Sequence, residues 1–434
     1  MNQKHSADTE IIWKDTRLAE IGRIVAGGTP STSDPNNWNG TVAWVTPADL
    51  SGRSSRHLTT TERTLTELGL ATSAARLLPP RSLVISSRAP IGHMALPLVS
   101  FCTNQGCKSI EFFDGQDPDF HYYNLRFWVR RLHDKGEGTT FSEISKKALE
   151  AVEVPVPSNR KVQETIASVL ALLDRAIEQT EALLAKQQRI KTGLMHDLLT
   201  RGLDAQGRLR DPSTHAFKPS PLGPIPTEWT AVYVEDLCDD IVDCPHSTPK
   251  YELGGFPCIR TADMVPGKLL LQNAYRVSSS TYQERISRLV PRKGDIIYSR
   301  EGERLGIASP VGDELVCLGQ RVMLLRPKAE TDSTFLTWAM NSPSFYNRVV
   351  LGQIATTSPH INVRDIKKAL VVRPEPTEQQ LIGEALAADD SERSALENCL
   401  EKLRRQKGGL MHDLLTGLVP VTPLLANPEA PISP

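Results

Sequence analysis

The chain has 434 residues, 39% hydrophobic and 23% charged, the make-up of an ordinary soluble globular protein with room for two domains and connecting structure. A formal net charge of −1 announces no nucleic-acid partner, so any DNA contact must come from local basic patches. Seven cysteines form no CxxC pair and no Cys/His array of zinc-finger spacing, which excludes a zinc module; they read as reduced, mostly buried thiols, and no metal site is expected.

The opening MNQKHSADTE is polar with no apolar core of signal-peptide length, and nowhere do apolar residues run for the roughly 18 that a membrane span needs. A cytoplasmic protein without membrane contact is expected. From Trp13 onward, short β-branched runs such as SLVISS alternate with helical stretches, which indicates an α/β or α+β domain. HYYNLRFWVRRLHDK, His121 to Lys135, reads as one amphipathic helix with Tyr122, Leu125, Trp128 and Val129 in the core. Arg126, Arg130 and Arg131 would form its outer edge.

The prolines of VPVPSNRKVQ, Val154 to Gln163, then suit a helix start. Positions 166, 170, 173, 177, 180, 184, 187, 191, 194 and 198 alternate spacings of four and three and carry Ile, Leu, Leu, Ile, Thr, Leu, Gln, Lys, Leu and Leu. That is a heptad seam with polar interruptions, ending near Gly202. A linker, 203–228, and a second mixed domain follow, opened by Trp229 and containing the strand-like DIIYS. VVRPEPTEQQ, Val371 to Gln380, starts a second long helix, which stops near Gly417. The proline-rich tail carries no helix-start signal and is expected to be disordered.

The two halves repeat. GLMHDLLT occurs at Gly193 to Thr200 and at Gly409 to Thr416, 216 residues apart, and the match extends upstream from Gln163 with Gln379 through Arg189 with Arg405. The second seam, 382 to 414, keeps the register with Ile, Leu, Asp, Arg, Leu, Leu, Leu, Lys, Leu and Leu. Trp13 and Trp229 share the offset. Looser matches pair Ala48-Asp49-Leu50 with Ala262-Asp263-Met264, Ser87-Arg88 with Ser299-Arg300, and Asn104-Gln105-Gly106 with Gly319-Gln320-Arg321. Thr139-Thr140 and Thr356-Thr357 lead through Ile144 and Ile361 into the prolines. The helices read as scaffold and the diverged domains as readers of different things.

Because the first helix leads away from the first domain and the second returns in register, the two are expected to run antiparallel as a coiled coil. The expected plan is a pseudo-two-fold repeat: a first domain, 1–157; a spacer helix, 158–202; the linker, 203–228; a second domain, 229–374; a spacer helix, 375–417; and the tail, 418–434. At 1.5 Å per residue each helix is about 60 Å long. Half-sites one turn of DNA apart, about 34–36 Å, fall within that reach.

With SPLGPIPTEW at Ser220 to Trp229, GGTPS at Gly27 to Ser31 and the paired GLMHDLLT helix ends, the chain resembles the specificity subunits (HsdS family) of type I restriction-modification systems. The resemblance spans about Trp13 to Gly417; the second domain departs from it with CPHSTP, Cys244 to Pro249, in place of a GGTP-like loop. It implies a non-catalytic subunit in which each target-recognition domain reads one half of an asymmetric double-stranded DNA sequence. It further implies that two methyltransferase (modification) subunits and translocating restriction subunits are partners. No cofactor is expected on this chain; S-adenosylmethionine, ATP and magnesium would belong to the partners.

The residues agree that no catalytic site is evident. Neither an NPPY-like loop for a flipped base nor a GxxxxGK[ST] phosphate loop occurs, and His196-Asp197 and His412-Asp413 sit on last helical turns, where a cation suits the dipole. Two other classes compete with this reading: a self-contained methyltransferase or nuclease, against which the missing loops argue, and a coiled-coil scaffold that binds no DNA. For DNA contact, basic and amide side chains on loops are the candidates, since arginine can pair with guanine and glutamine or asparagine with adenine. They are Arg88, Asn104, Gln105, Lys146 and Lys147 in the first domain. In the second they are Arg300, Arg304, Gln320, Arg321, His360, Arg364, Lys367 and Lys368. Arg88 and Arg300 stand out as matched strand-end residues, and the lysines suit phosphates or plain solvated surface.

Overall fold

In the computed structural model the heptad pattern is carried by two helices, Arg160–Thr200 and Pro376–Leu415. The structure describes residues 11–426 apart from 54, 89, 136–142, 303 and 352–359. Thr139, Thr140, Thr356 and Thr357 of the repeat therefore lie outside the described residues, as does the chain from Asn427. Every one of the twenty seam positions is buried or half-buried, while Leu172, Leu183, Ile190 and Leu381, off the seam, are exposed. No described helix is long and apolar enough to cross a membrane.

The chain forms two compact units. The first runs to Ala182 and resumes at Asn398; the second is Leu183–Glu397. Each unit thus holds one mixed α and β domain, half of one long helix and half of the other.

In the first unit, strands Gly22–Ala26, Cys107–Phe112, Leu83–Ser86, Met94–Pro97 and His57–Leu58 form one sheet in that order. Arg63–Leu65, Trp38–Val45 and Phe101–Thr103 form a second, and Trp13–Arg17 pairs with Glu153–Pro157. The second unit repeats the plan. Cys238–Asp243, Val322–Pro327, Ile296–Ser299 and Ala308–Pro310 correspond to the first four strands, Arg276–Val277, Phe256–Ile259 and Cys317–Leu318 to the second sheet, and Thr230–Tyr233 with Leu370–Arg373 to the outer pair. In both, the middle strand of the three-stranded sheet pairs parallel with its last strand, Trp44 opposite Cys102 and Cys258 opposite Cys317. The class is α+β.

Each domain grips its helices through the same devices. The backbone N–H of Asp117 donates to Gln163 Oε1 at 2.9 Å while Gln163 Nε2 donates to the carbonyl of Pro157 at 3.0 Å. Gln379 does the same with Asp332 N–H, 3.0 Å, and the carbonyl of Pro374, 2.8 Å. Both glutamines are 1% exposed, so each amide satisfies a backbone donor and a backbone acceptor that water cannot reach. Where the helices meet, Lys407 pairs with Asp174 in the first unit and Lys191 with Asp390 in the second, residues of identical heptad register. In the first unit Arg404 also bonds Glu181; in the second Gln187 bonds Asp389 at 2.8 Å. From Asp174 to Glu181 the partner falls from Lys407 to Arg404, and from Gln187, which also reaches Glu392 at 3.4 Å, to Lys191 it falls from Glu392 to Asp390, so within each unit the segments run antiparallel.

Past the helix ends, Gly202 and Gly417 adopt φ of +64° and +74°, and a Cβ there would strike the Trp229 or Trp13 ring at 2.1 or 2.7 Å. The helix stop and the tryptophan that opens a domain are thus one joint. In the second unit it is reinforced by Glu378, a residue with no polar counterpart at Val162, which accepts from Trp229 Nε1 at 2.9 Å and pairs with the buried Arg210.

Two expectations are corrected. His121 to Lys135 is not one helix: Pro118–Phe127 and Val129–His133 are separated at Trp128, whose φ and ψ of −91° and 19° leave the helical region. Phe120, His121, Tyr122, Tyr123, Asn124 and Leu125 are all buried, because this helix has neighbours on every side, whereas Trp128 and Val129 are only half-buried. The tail, expected to be disordered from 418, carries a helix, Thr422–Ala426, with Val421 2% exposed and Leu425 packed against the first core. Its apolar residues have a docking site that a proline count does not reveal. Six cysteines are buried, Cys399 is exposed and none is bridged.

Candidate nucleic-acid interface

In each unit the loops at the ends of the sheet strands converge, and backbone hydrogen bonds fix which residues correspond. Ile144 N–H donates to Ser87 O and Ile361 N–H to Arg300 O, both at 2.9 Å. Ser86 Oγ donates to the carbonyl of Pro90, and Ser299 Oγ to that of Arg304. Ser87 therefore corresponds to Arg300 and Arg88 to Glu301, one residue away from the pairing that the repeated Ser-Arg dipeptide indicates. The Asn104-Gln105-Gly106 match with Gly319-Gln320-Arg321 is in register: Ser87 N–H donates to Gly106 O and Arg300 N–H to Arg321 O. So is that of Asp49 with Asp263, each accepting from the backbone N–H three residues earlier.

The one-residue slip decides the fate of the two favoured arginines. Arg88 is exposed, its Nε 2.9 Å from Glu143 Oε2. Arg300 is 6% exposed, and its Nε and Nη2 bond both oxygens of Asp243 at 2.9 and 3.1 Å. A guanidinium so engaged and so buried is a structural strut, which removes Arg300 from the candidate base contacts.

The other candidates divide similarly. Asn104 turns its Oδ1 onto the backbone N–H of Gly106 at 3.0 Å and serves the loop. Gln105 is exposed and bonds Thr29 of the GGTPS loop; Gly27 lies so close beneath that a Cβ would meet Asn104 O at 1.9 Å. Lys146 and Lys147 are exposed on the helix Lys146–Glu150, Lys146 lying 3.7 Å from Glu150. In the second unit Arg304 donates to the carbonyls of Ala262 and Met264, both at 3.1 Å, and Gln320 to that of His246 at 3.0 Å. His360 and Arg364 are exposed, Lys367 is half-buried, and Lys368 pairs with Glu235.

Arg321 differs from all of these. It is exposed and holds φ at +67°, a conformation that costs a side-chain-bearing residue roughly 1–3 kcal/mol, at the place where the first unit has Gly106. Its Nε lies 3.8 Å from Glu301 Oε2.

Sequence reading missed the groups beneath these loops. Lys108 Nζ, on a side chain 8% exposed, reaches Ser87 Oγ at 3.1 Å and Glu143 Oε1 at 3.4 Å. A lone lysine inside the apolar strand CKSIEF was the available signal. Partial desolvation pushes the Glu143 carboxyl up, but the hydrogen bond from Arg88 and the charges of Lys108 and Arg88 outweigh it and hold it below the usual glutamate range. In the second unit Asp243 and Glu301 flank Arg300, and Arg285, 3% exposed, ties the carbonyl of Leu318, 2.9 Å, to Ser247 of the CPHSTP loop. Nothing in spacing announced these pairings.

Among the described residues no group of three or more His, Cys, Asp or Glu is placed to hold a metal ion. The arrangement offers instead, in each unit, exposed donors on loops braced from below, a construction suited to binding a polar surface.

Residues 11–187 match the model of the type I restriction modification DNA specificity domain. The MjaIX specificity subunit of Methanocaldococcus jannaschii is 25% identical over 85% of this chain and 84% of its own length. The MjaVIII specificity subunit of the same organism is 24% identical over 70% of this chain and 71% of its own. Among solved structures, the type I S subunit from M. genitalium superposes with a TM-score of 0.61 at 15% identity, covering 95% of this chain and 99% of that one.

Proposed function

We propose that the chain, whose residues 11–187 match the type I specificity-domain model and which is 25% identical to a specificity subunit over 85% of its length, is a member of that family, supplies DNA sequence specificity to such a complex and performs no chemistry itself. Its two recognition domains, 1–157 and 229–374, each read one half of a bipartite, asymmetric target. The helices 158–202 and 375–417 set the spacing between halves and dock two methyltransferase subunits, with translocating restriction subunits joining the assembly in the cytoplasm. S-adenosylmethionine, ATP and magnesium act on those partners.

The observation that carries this reading is the contrast within the repeat. The buried glutamine clasp, the lysine–aspartate pair and the glycine–tryptophan joint occur in both units, whereas the loops at the strand ends differ at matched positions, Arg88 against Glu301 and Gly106 against Arg321. A frame kept twice with its exposed loops changed is the expected result of one structural duty combined with two different ligands.

The test is to express the chain with its modification partners and map methylated bases across a genome. A two-part motif is expected, and exchanging residues 13–150 for those of a relative should change one half of it only. A change in both halves, or methylation by the purified chain alone with labelled S-adenosylmethionine, would sink the proposal.

A further inference from the structure

The strand-end loops of the two units share one electrostatic construction that the sequence repeat does not display. In the first unit buried Lys108 holds Glu143 Oε1 at 3.4 Å, and Glu143 Oε2 holds Nε of exposed Arg88 at 2.9 Å. In the second, buried Arg300 Nη1 holds Glu301 Oε1 at 3.1 Å, and Glu301 Oε2 lies 3.8 Å from Nε of exposed Arg321. The order is the same both times: buried cation, carboxylate, exposed arginine.

The loops that supply the members differ. Backbone pairing makes Arg88 the counterpart of Glu301, so the position that carries the arginine in one unit carries its carboxylate in the other. Arg321 then comes from the neighbouring loop, at a positive φ where the first unit has Gly106, a residue with no side chain to offer. Two units that reach one arrangement from different loops, one of them through a strained backbone, use it for more than folding.

The geometry defines what such an arginine can do. At Arg88 the carboxylate bonded to Nε fixes the guanidinium plane and leaves the Nη edge; at Arg321 the carboxylate stands 3.8 Å from Nε as an ion pair, and among the described residues no further hydrogen bond engages the Arg88 guanidinium and none engages that of Arg321. A planar fork with its outer edge presented matches guanine O6 and N7 in the major groove, the pairing a flexible ammonium cannot reproduce. We propose that Arg88 in the first domain and Arg321 in the second are each a guanine-reading residue, aimed by Glu143 and Glu301 as positioning residues. This rests on the reading of the chain as a specificity subunit, and it requires a contacted guanine in each half of the target.

The full chain, in complex with its modification subunits, is incubated with duplex DNA randomised through both halves, and the bound fraction is sequenced. Arg88→Gln is expected to lower the preference for one guanine, in one half, on the order of ten- to a hundredfold. Arg321→Gly should do the same in the other half alone, and because it relieves the positive φ its thermal midpoint should not fall. Arg88→Lys keeps the charge but not the fork, so it should lose the guanine preference while retaining affinity for bulk DNA. Glu301→Gln should weaken selection only at the guanine read by Arg321, an effect that loss of structural support would not confine to one base. Equal loss on all sequences, a changed preference in the wrong half, or unaltered selection overturns the arginine assignment. A wild-type complex that enriches no sequence overturns the underlying reading instead.

Discussion

Single side chains in this protein do work that their chemistry alone would not assign. Gln163 and Gln379 each close a backbone donor and a backbone acceptor in the core. Gln379→Leu keeps the volume but strands both groups, and a loss of roughly 2–4 kcal/mol is expected from chemical denaturation. An unchanged midpoint would mean that water fills the gap. His121 is fully buried, so desolvation pushes its imidazole down to about 3 from the ordinary value near 6.5. The folded state keeps it neutral while the unfolded chain takes up a proton, so its contribution is intact above about pH 6.5 and declines as pH falls toward 3. His121→Phe, facing Phe112 and Phe120, should therefore remove on the order of 2 kcal/mol of the stability lost between pH 6.5 and 5. Equal acid sensitivity in both proteins would refute the assignment.

At the scale of elements, the long helices are held by a few polar pairs on an otherwise apolar seam. Lys407→Met leaves Asp174 with the Tyr123 hydroxyl, 2.6 Å away, and lacking its cation. A partly buried carboxylate stripped of its partner is expected to cost roughly 1–3 kcal/mol, and Lys407→Met with Asp174→Leu should recover part of it. A double mutant no better than the single one would argue that the pair contributes nothing beyond solvation. The tail is an element as well. Ending the chain at Leu418 removes Val421, which is 2% exposed, and Leu425, and burial of such side chains is worth about 1.5–3 kcal/mol each. A lower thermal midpoint is expected; if the truncated protein melts with the full chain, the helix Thr422–Ala426 is not part of the core.

For the molecule as a whole, the proposed role of the helices as a ruler makes a numerical prediction. Adding one heptad to each helix preserves the seam and lengthens both by about 10 Å, close to three base pairs at 3.4 Å per step. Methylome mapping should then show the same two half-sites separated by about three more base pairs. An unchanged gap would refute the ruler, and altered half-sites would show that helix length also shapes the recognition loops.

What was legible in the sequence follows from which forces are local. The seam at Ile166 to Leu198 and its copy at Ile382 to Leu414 could be read because helical periodicity is set within a turn, and none of those positions is exposed. The repeat, the α+β class and the tryptophans that open each domain followed from the same kind of evidence. The recognition loops did not. Whether Arg88 answers Arg300 or Glu301 depends on backbone bonds to Ile144 and Ile361, more than fifty residues away in the chain, and a slip of one residue turns a candidate reader into a buried strut. The sequence alone determined the scaffold, because periodic burial is written residue by residue. Only the tertiary structure decided which charges face outward, because that depends on pairings between segments that spacing cannot register.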